Sequence, residues 1–175
     1  ICAGGMSTKT RIMSKIRMFF GDKAYNTPEQ ARSAVQKFKV MGYDGIKSYS
    51  PSKEVFNALT DEAKKLDIPV VGHISPSITL DEFYASSQSQ VAHVEEIMKA
   101  AERDYYKLPR NYYDSIERFL PYFKNIVDDI AKKLKERDVV VSSTVWIIES
   151  IPKQDFDLPN FLKTIKLEYE NPGVL

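Results

Sequence analysis

The sequence predicts an α/β fold in which short parallel strands alternate with amphipathic helices, and three observations predict it. Apolar, β-branched runs occur at Ile68-Pro69-Val70-Val71-Gly72-His73-Ile74 and from Val139 to Ile148; strands buried on both faces read as continuous runs of this kind. Between the runs, apolar residues recur every three to four positions, the period of a helix with one buried side. Cap-plus-proline pairs at Thr27-Pro28 and Ser50-Pro51 mark helix starts, because proline is preorganised for the first helical position. Such alternation implies parallel strands joined by right-handed crossovers. A doubly wound open sheet and a closed barrel both satisfy it. Neither GxGxxG nor GxxxxGK(S/T) occurs, and Gly4-Gly5 is a bare pair, which counts against a nucleotide-binding open sheet.

The elements follow in order. Thr27 reads as an N-cap, Pro28 as the first helical residue and Gln30 as the partner in a capping box. The helix carries Ala31, Ala34, Val35, Phe38 and Val40 or Met41, and stops at Gly42. A brief strand spans Tyr43 to Tyr49. After Ser50-Pro51, a second helix places Val55, Phe56, Leu59, Ala63 and Leu66 on one stripe. Ile68 to Ile74 is the next strand, with Pro69 at its start, where a strand tolerates it. Thr79 and Glu82 form a capping box for a short helix, roughly Leu80 to Ser86, and Gln90 to Val94 is a third short strand.

From Glu95 to Asp114 the pattern is weak. Tyr105, Tyr106, Tyr112 and Tyr113 around Pro109 fit an ordered insertion, as a lid or a homo-oligomer contact, or else aromatics packed under a loop. A long helix is expected from near Ser115 to about Arg137, kinked or split at Pro121. Val139 to Ile148 follows as a strand. Past Pro152 the reading is loop, with some helix near Phe161 to Leu167 and a tail through Asn171-Pro172-Gly173.

A chain of 175 residues fits one domain with a sizeable core. At 43% apolar and 28% charged residues, the composition is globular rather than disordered. The net charge of +1 gives no electrostatic ground for nucleic acid or an anionic membrane as partner. Lys9, Arg11, Lys15 and Arg17 are spread among apolar residues and read as a solvated face. No run approaches the ~20 apolar residues of a membrane helix. Cys2, the only cysteine, excludes an intrachain disulfide.

Lys47, His73 and His93 stand near the ends of three successive strands, 26 and 20 residues apart, about one strand-plus-helix unit each. In a parallel barrel such strands end at one face, where active sites are built. Neutral imidazole binds zinc-like cations, and catalytic sites keep a position open for water. Lysine becomes a ligand only as a carbamate, formed by its neutral amine with carbon dioxide; burial lowers a lysine pKa and favours that amine. Each residue also has a plainer role. A lone strand lysine is ordinarily exposed or ion-paired, and a histidine beside glycine is ordinarily a hydrogen-bonded structural residue. Lys47 could alternatively serve an aldolase-like barrel as a Schiff-base nucleophile.

Gly42-Tyr43-Asp44-Gly45-Ile46-Lys47-Ser48-Tyr49 resembles the strand-four signature of the amidohydrolase superfamily, in its imidazolonepropionase-like and dipeptidase-like branch. Pro69-Val70-Val71-Gly72-His73-Ile74 is similar to that branch's strand-five motif, and Val91-Ala92-His93-Val94-Glu95-Glu96 to its strand-six motif. The resemblance covers roughly Thr27 to Ile148, with Val139 to Ile148 as strand seven. It implies a partial (β/α)8 TIM-type barrel holding one or two divalent metals, commonly zinc. Lys47 would be the carboxylated bridging ligand, with His73 and His93 on the second metal. A metal-activated water would attack an amide or other C–N bond of a small-molecule substrate. Tyr49, two residues after Lys47 and so on the same strand face, would contact substrate or carbamate, or simply pack.

The sequence departs from the family at several points. There is no His-x-His pair, and Asp155 and Asp157 lie in a Pro-flanked polar stretch unlike an eighth strand. Ser75 stands before Pro76, where relatives often place proline directly after His-Ile. The chain opens at Ile1, without the layout of a secretion signal. Residues 1–175 are therefore expected to be one barrel segment, about strands three to seven, incomplete at both ends and inactive alone. A non-catalytic barrel remnant used for binding or assembly is the alternative.

Overall fold

The structure, a computed structural model, describes residues 2–7, 25–107 and 116–164. Its order is β1 (Cys2–Ser7), α1 (Pro28–Val40), β2 (Gly45–Ser50), α2 (Lys53–Lys65), β3 (Val70–Gly72), α3 (Leu80–Ala85), β4 (Gln90–Ala92), α4 (Glu95–Tyr106), α5 (Ile116–Glu136), β5 (Val140–Ser142) and α6 (Val145–Leu162). The chain forms two compact units, Ile1–Ser143 and Thr144–Leu175. Among the described residues no helix is long and apolar enough to cross a membrane.

All strand pairs are parallel, and sequence neighbours are spatial neighbours. One sheet runs β1-β2-β3 and another pairs β4 with β5. Ser89 links the two: its N–H donates to the Val70 carbonyl at 2.9 Å, and its own carbonyl accepts from Val140 N–H at 3.0 Å. The registers pair Ile46 with Val70, Lys47 with Val71 and Ser48 with Gly72, then Val91 with Val141. The described residues form no closed barrel.

The helices arise where capping chemistry meets an apolar stripe. Thr27 caps α1 as expected. In α2, Ser52 is the cap, its hydroxyl accepting from Val55 N–H, whereas Ser50 ends β2. Sequence could not separate the two serines around Pro51. Thr79 and Glu82 form both halves of the capping box of α3. The helix ends that precede β2, β3 and β5 share one device. A left-handed residue (Gly42, Asp67 or Asp138) lets the next N–H reach a carbonyl five residues back: Tyr43 to Phe38, Ile68 to Ala63 and Val139 to Leu134. This is the Schellman termination, which satisfies helix carbonyls and turns the chain sharply.

Ile46 and Val70 alternate inward to pack on Ala31, Val35, Leu59 and Ala63 of α1 and α2. A second cluster gathers Phe56, Phe83, Val91, Ile97, Phe119 and Ile130 from α2 through α5. Glu62 joins α1 to α2, accepting from Gln36 at 2.7 Å and pairing with Arg32 at 3.6 Å. Arg137, just past α5, donates to the Phe83 and Ser86 carbonyls at the end of α3, at 3.3 and 2.6 Å.

Several expectations are corrected. The Val139–Ile148 run holds a strand of only three residues, because Thr144 takes a left-handed turn (φ 51°) and α6 begins at Val145. Short apolar runs do not distinguish strand from helix. The stretch after Pro152 is helical to Leu162, broken at Asp157 (φ −151°, ψ 56°) two residues before Pro159. Tyr105 and Tyr106 close α4, their rings packed against Tyr122 and Phe119. Helix α5 runs through Pro121 as one element. β1 was not anticipated. The basic residues 9–17, Tyr112, Tyr113, Pro109 and the tail lie outside the described residues.

Two glycines with positive φ make a paired test. At Gly42 (φ 75°) an added Cβ meets nothing within 4 Å, whereas at Gly72 (φ 121°) it would lie 2.1 Å from the Ser48 carbonyl oxygen. Gly42→Ala should cost about 1–2 kcal/mol, the left-handed penalty alone. Gly72→Ala should cost upward of about 3 kcal/mol, since backbone must also move. Urea denaturation of both variants measures the difference; equal losses would contradict the close approach of β3 to β2.

Candidate functional site

Lys47 and Tyr49 alternate with the core-facing Ile46, so they project from the face of β2 turned away from the helices. His73 follows β3 directly, its N–H donating to the Ser48 carbonyl at 2.8 Å and extending the ladder by one bond. This sets its ring against Tyr49, centroids 5.1 Å apart.

His93 reaches the same place by a different route. Regular alternation would send it the way of Val91, into the helical core. Instead its backbone is left-handed, φ 73°, a region histidine tolerates better than most side chains. The turn brings the His93 ring to 4.9 Å from His73 at 85° and leads straight into α4. The His93 N–H is held by the Ser142 carbonyl at 2.8 Å. Lys47 joins the row through Tyr49, its ammonium 5.0 Å from the ring centroid. The structure thus brings Tyr49, His73 and His93 into one file of ring contacts, with Lys47 against the first.

Three supporting residues carried no role in the sequence reading. Glu96 is buried in the first turn of α4, 4.0 Å from His73 Nδ1, and accepts from Lys99 Nζ at 2.8 Å. No local pattern marks it, because the ring it faces, His73, lies upstream on another element. Gln88, fully buried, donates to the Gly72, His73 and Gln90 carbonyls and so ties the end of β3 to the start of β4. Ser75 is buried and donates to the Pro51 carbonyl at 2.6 Å, fastening the segment after β3 to the turn after β2.

Burial is the main cause holding the His73 pKa below its ordinary value. Glu96 opposes it, and the charges of His93, Lys47 and Lys99 add to the lowering. His73 therefore presents a neutral imidazole at neutral pH, the form that binds a cation. Two imidazoles on one tetrahedral ion, with N–metal bonds of about 2.0–2.1 Å, hold their centroids roughly 5 Å apart. The 4.9 Å separation of the His73 and His93 ring centroids matches that spacing and is also that of an ordinary edge-to-face ring contact. Among the described residues no three His, Cys, Asp or Glu side chains gather as a metal-holding group.

No family model matches the chain, and no curated protein matches it. Among solved structures the chain is similar to bottromycin amidohydrolase, with a TM-score of 0.47 and 22% identity over 62% of this chain. The match spans 22% of that protein's length.

A depressed histidine pKa has a definite sign in stability. The folded chain binds fewer protons than the unfolded one, so the contribution of His73 is complete above the ordinary value of 6.5. It is lost as pH falls through the folded value. NMR titration of the His73 ring should give a midpoint below 6.5, and Glu96→Gln should lower it further by removing the opposing charge. A midpoint that rises in Glu96→Gln would separate the carboxylate from this site.

Proposed function

We propose that the chain forms an arc of a (β/α)8 TIM-type barrel carrying part of a divalent-metal centre, and that the completed centre hydrolyses amide or other C–N bonds of a small-molecule substrate. The observation that carries this reading is the file Tyr49–His73–His93, assembled from three successive parallel strands with Lys47 alongside. Strand order supports the barrel. A doubly wound sheet reverses direction at a switch point, whereas β1 to β5 follow one another without reversal.

In this reading His73 and His93 are the nitrogen ligands, and zinc is the natural cation for such a pair. The cation supplies Lewis acidity to the reaction. Lys47, carboxylated by carbon dioxide, adds an anionic oxygen ligand. Glu96 steadies the His73 ring from behind, as outer carboxylates do for ligating histidines. Tyr49 fills the space between Lys47 and His73 and meets the substrate. The remaining ligands come from outside the described residues.

That ligand count favours one alternative, a barrel remnant retained for binding or assembly, because the described residues hold no three-ligand group. Zinc binding separates the two. Equilibrium dialysis should show zinc uptake by the chain, weakened at least about tenfold in His73→Ala and in His93→Ala. Uptake that is absent, or identical in all three proteins, would leave the remnant reading. Labelling with 13C-bicarbonate should yield a carbamate resonance that Lys47→Ala lacks; no such resonance in the zinc-loaded chain removes Lys47 from the ligand set.

A further inference from the structure

Helices α3, α4 and α5 line an open cleft of about 340 Å3 that shares no residue with the histidine file. Its volume lies at the small end of ligand pockets. Three tyrosines contribute to its walls, Tyr84, Tyr105 and Tyr122, the last two with ring centroids 3.7 Å apart. The Tyr84 hydroxyl is buried and has no hydrogen-bond partner. Burial, reinforced by Asp81 and Asp104, raises its pKa and keeps its proton in place.

The charge lining this cleft is lopsided. Asp81, Asp104 and Asp129 face one cation, Lys133. Asp104 is the inner acid. Its Oδ2 accepts from Leu80 N–H at 2.7 Å; burial raises its carboxyl pKa despite that bond and the charge of Arg103, with Asp81 and Glu82 adding to the rise. A positive group beside it would relieve the desolvated charge. The protein already shows how a cation sits here: Lys133 Nζ lies 5.1 Å from the Tyr84 ring centroid and 3.6 Å from Asp81 Oδ1. An aromatic face and a carboxylate together form a site for an ammonium group. A hard metal ion would want six or more oxygens instead, and an anion would meet three carboxylates.

We propose that this cleft binds a small organic ammonium ion, its charge on Asp104 and its apolar body among the tyrosine rings. Lys133, on the rim, is a tethered competitor that swings outward when the ligand enters.

The probes are benzylammonium and its neutral counterpart, benzyl alcohol, titrated into the full chain and followed by 1H–15N spectra. The Leu80 amide, bonded to Asp104, is the reporter. Benzylammonium should shift it saturably and bind about tenfold more tightly than the alcohol, the worth of one charge-assisted hydrogen bond. Asp104→Asn preserves shape and should abolish the difference. Lys133→Ala, a rim substitution, should tighten benzylammonium by roughly threefold. Equal binding of the two probes, an unchanged preference in Asp104→Asn, or no saturable Leu80 shift up to about 10 mM would each overturn the proposal. The probe comparison and Lys133→Ala decide it even if Asp104→Asn fails to fold.

Discussion

The close approach of β3 to β2 at Gly72 is the constraint on which the site depends. A side chain there would occupy the space of the Ser48 carbonyl. With none, the next amide bonds that same carbonyl and the His73 ring arrives beside Tyr49. Everything downstream inherits that placement. Gln88 reads the carbonyls of Gly72 and His73 and passes the alignment to β4 through Gln90. His93 then meets His73 because the end of β4 has been fixed against β3. An error of an ångström at residue 72 would be felt at each later ring contact, since close-packed interiors transmit displacement.

Consecutive strand order follows from a repeated local device rather than from one long-range interaction. Gly42, Asp67 and Asp138 each end a helix in the same left-handed turn and deliver the chain into a strand. Short joins of fixed geometry leave each unit little choice but to lie beside the last. Two of the three are aspartates, whose short polar side chain tolerates this conformation better than most. The same tolerance, in histidine, turns β4 into α4 and aims His93.

Much of this could be read from the residues. Thr27-Pro28, Thr79 with Glu82, and the stripe Val55–Phe56–Leu59–Ala63 located α1, α3 and α2, because caps and periodicity are local signals. Spacing singled out Lys47, His73 and His93, and the family resemblance added Tyr49; the structure brings the rings of Tyr49, His73 and His93 into contact. What escaped depends on tertiary context. The Gly-rich Cys2–Ser7 has little intrinsic strand preference and is a strand because β2 pairs with it. Val139 to Ile148 reads as one strand although Ser142 to Thr144 interrupt it, and that polar middle in fact separates a strand from a helix. Glu96 and Gln88 owe their roles to neighbours distant in sequence, which no periodicity encodes.

Arg137 makes the end of α3 answerable to a distant residue. The Ser86 carbonyl that it satisfies lies 51 residues upstream. A substitution of Arg137, just past α5, would therefore be felt at the C-terminus of α3, where the Phe83 and Ser86 carbonyls would lose its guanidinium donor.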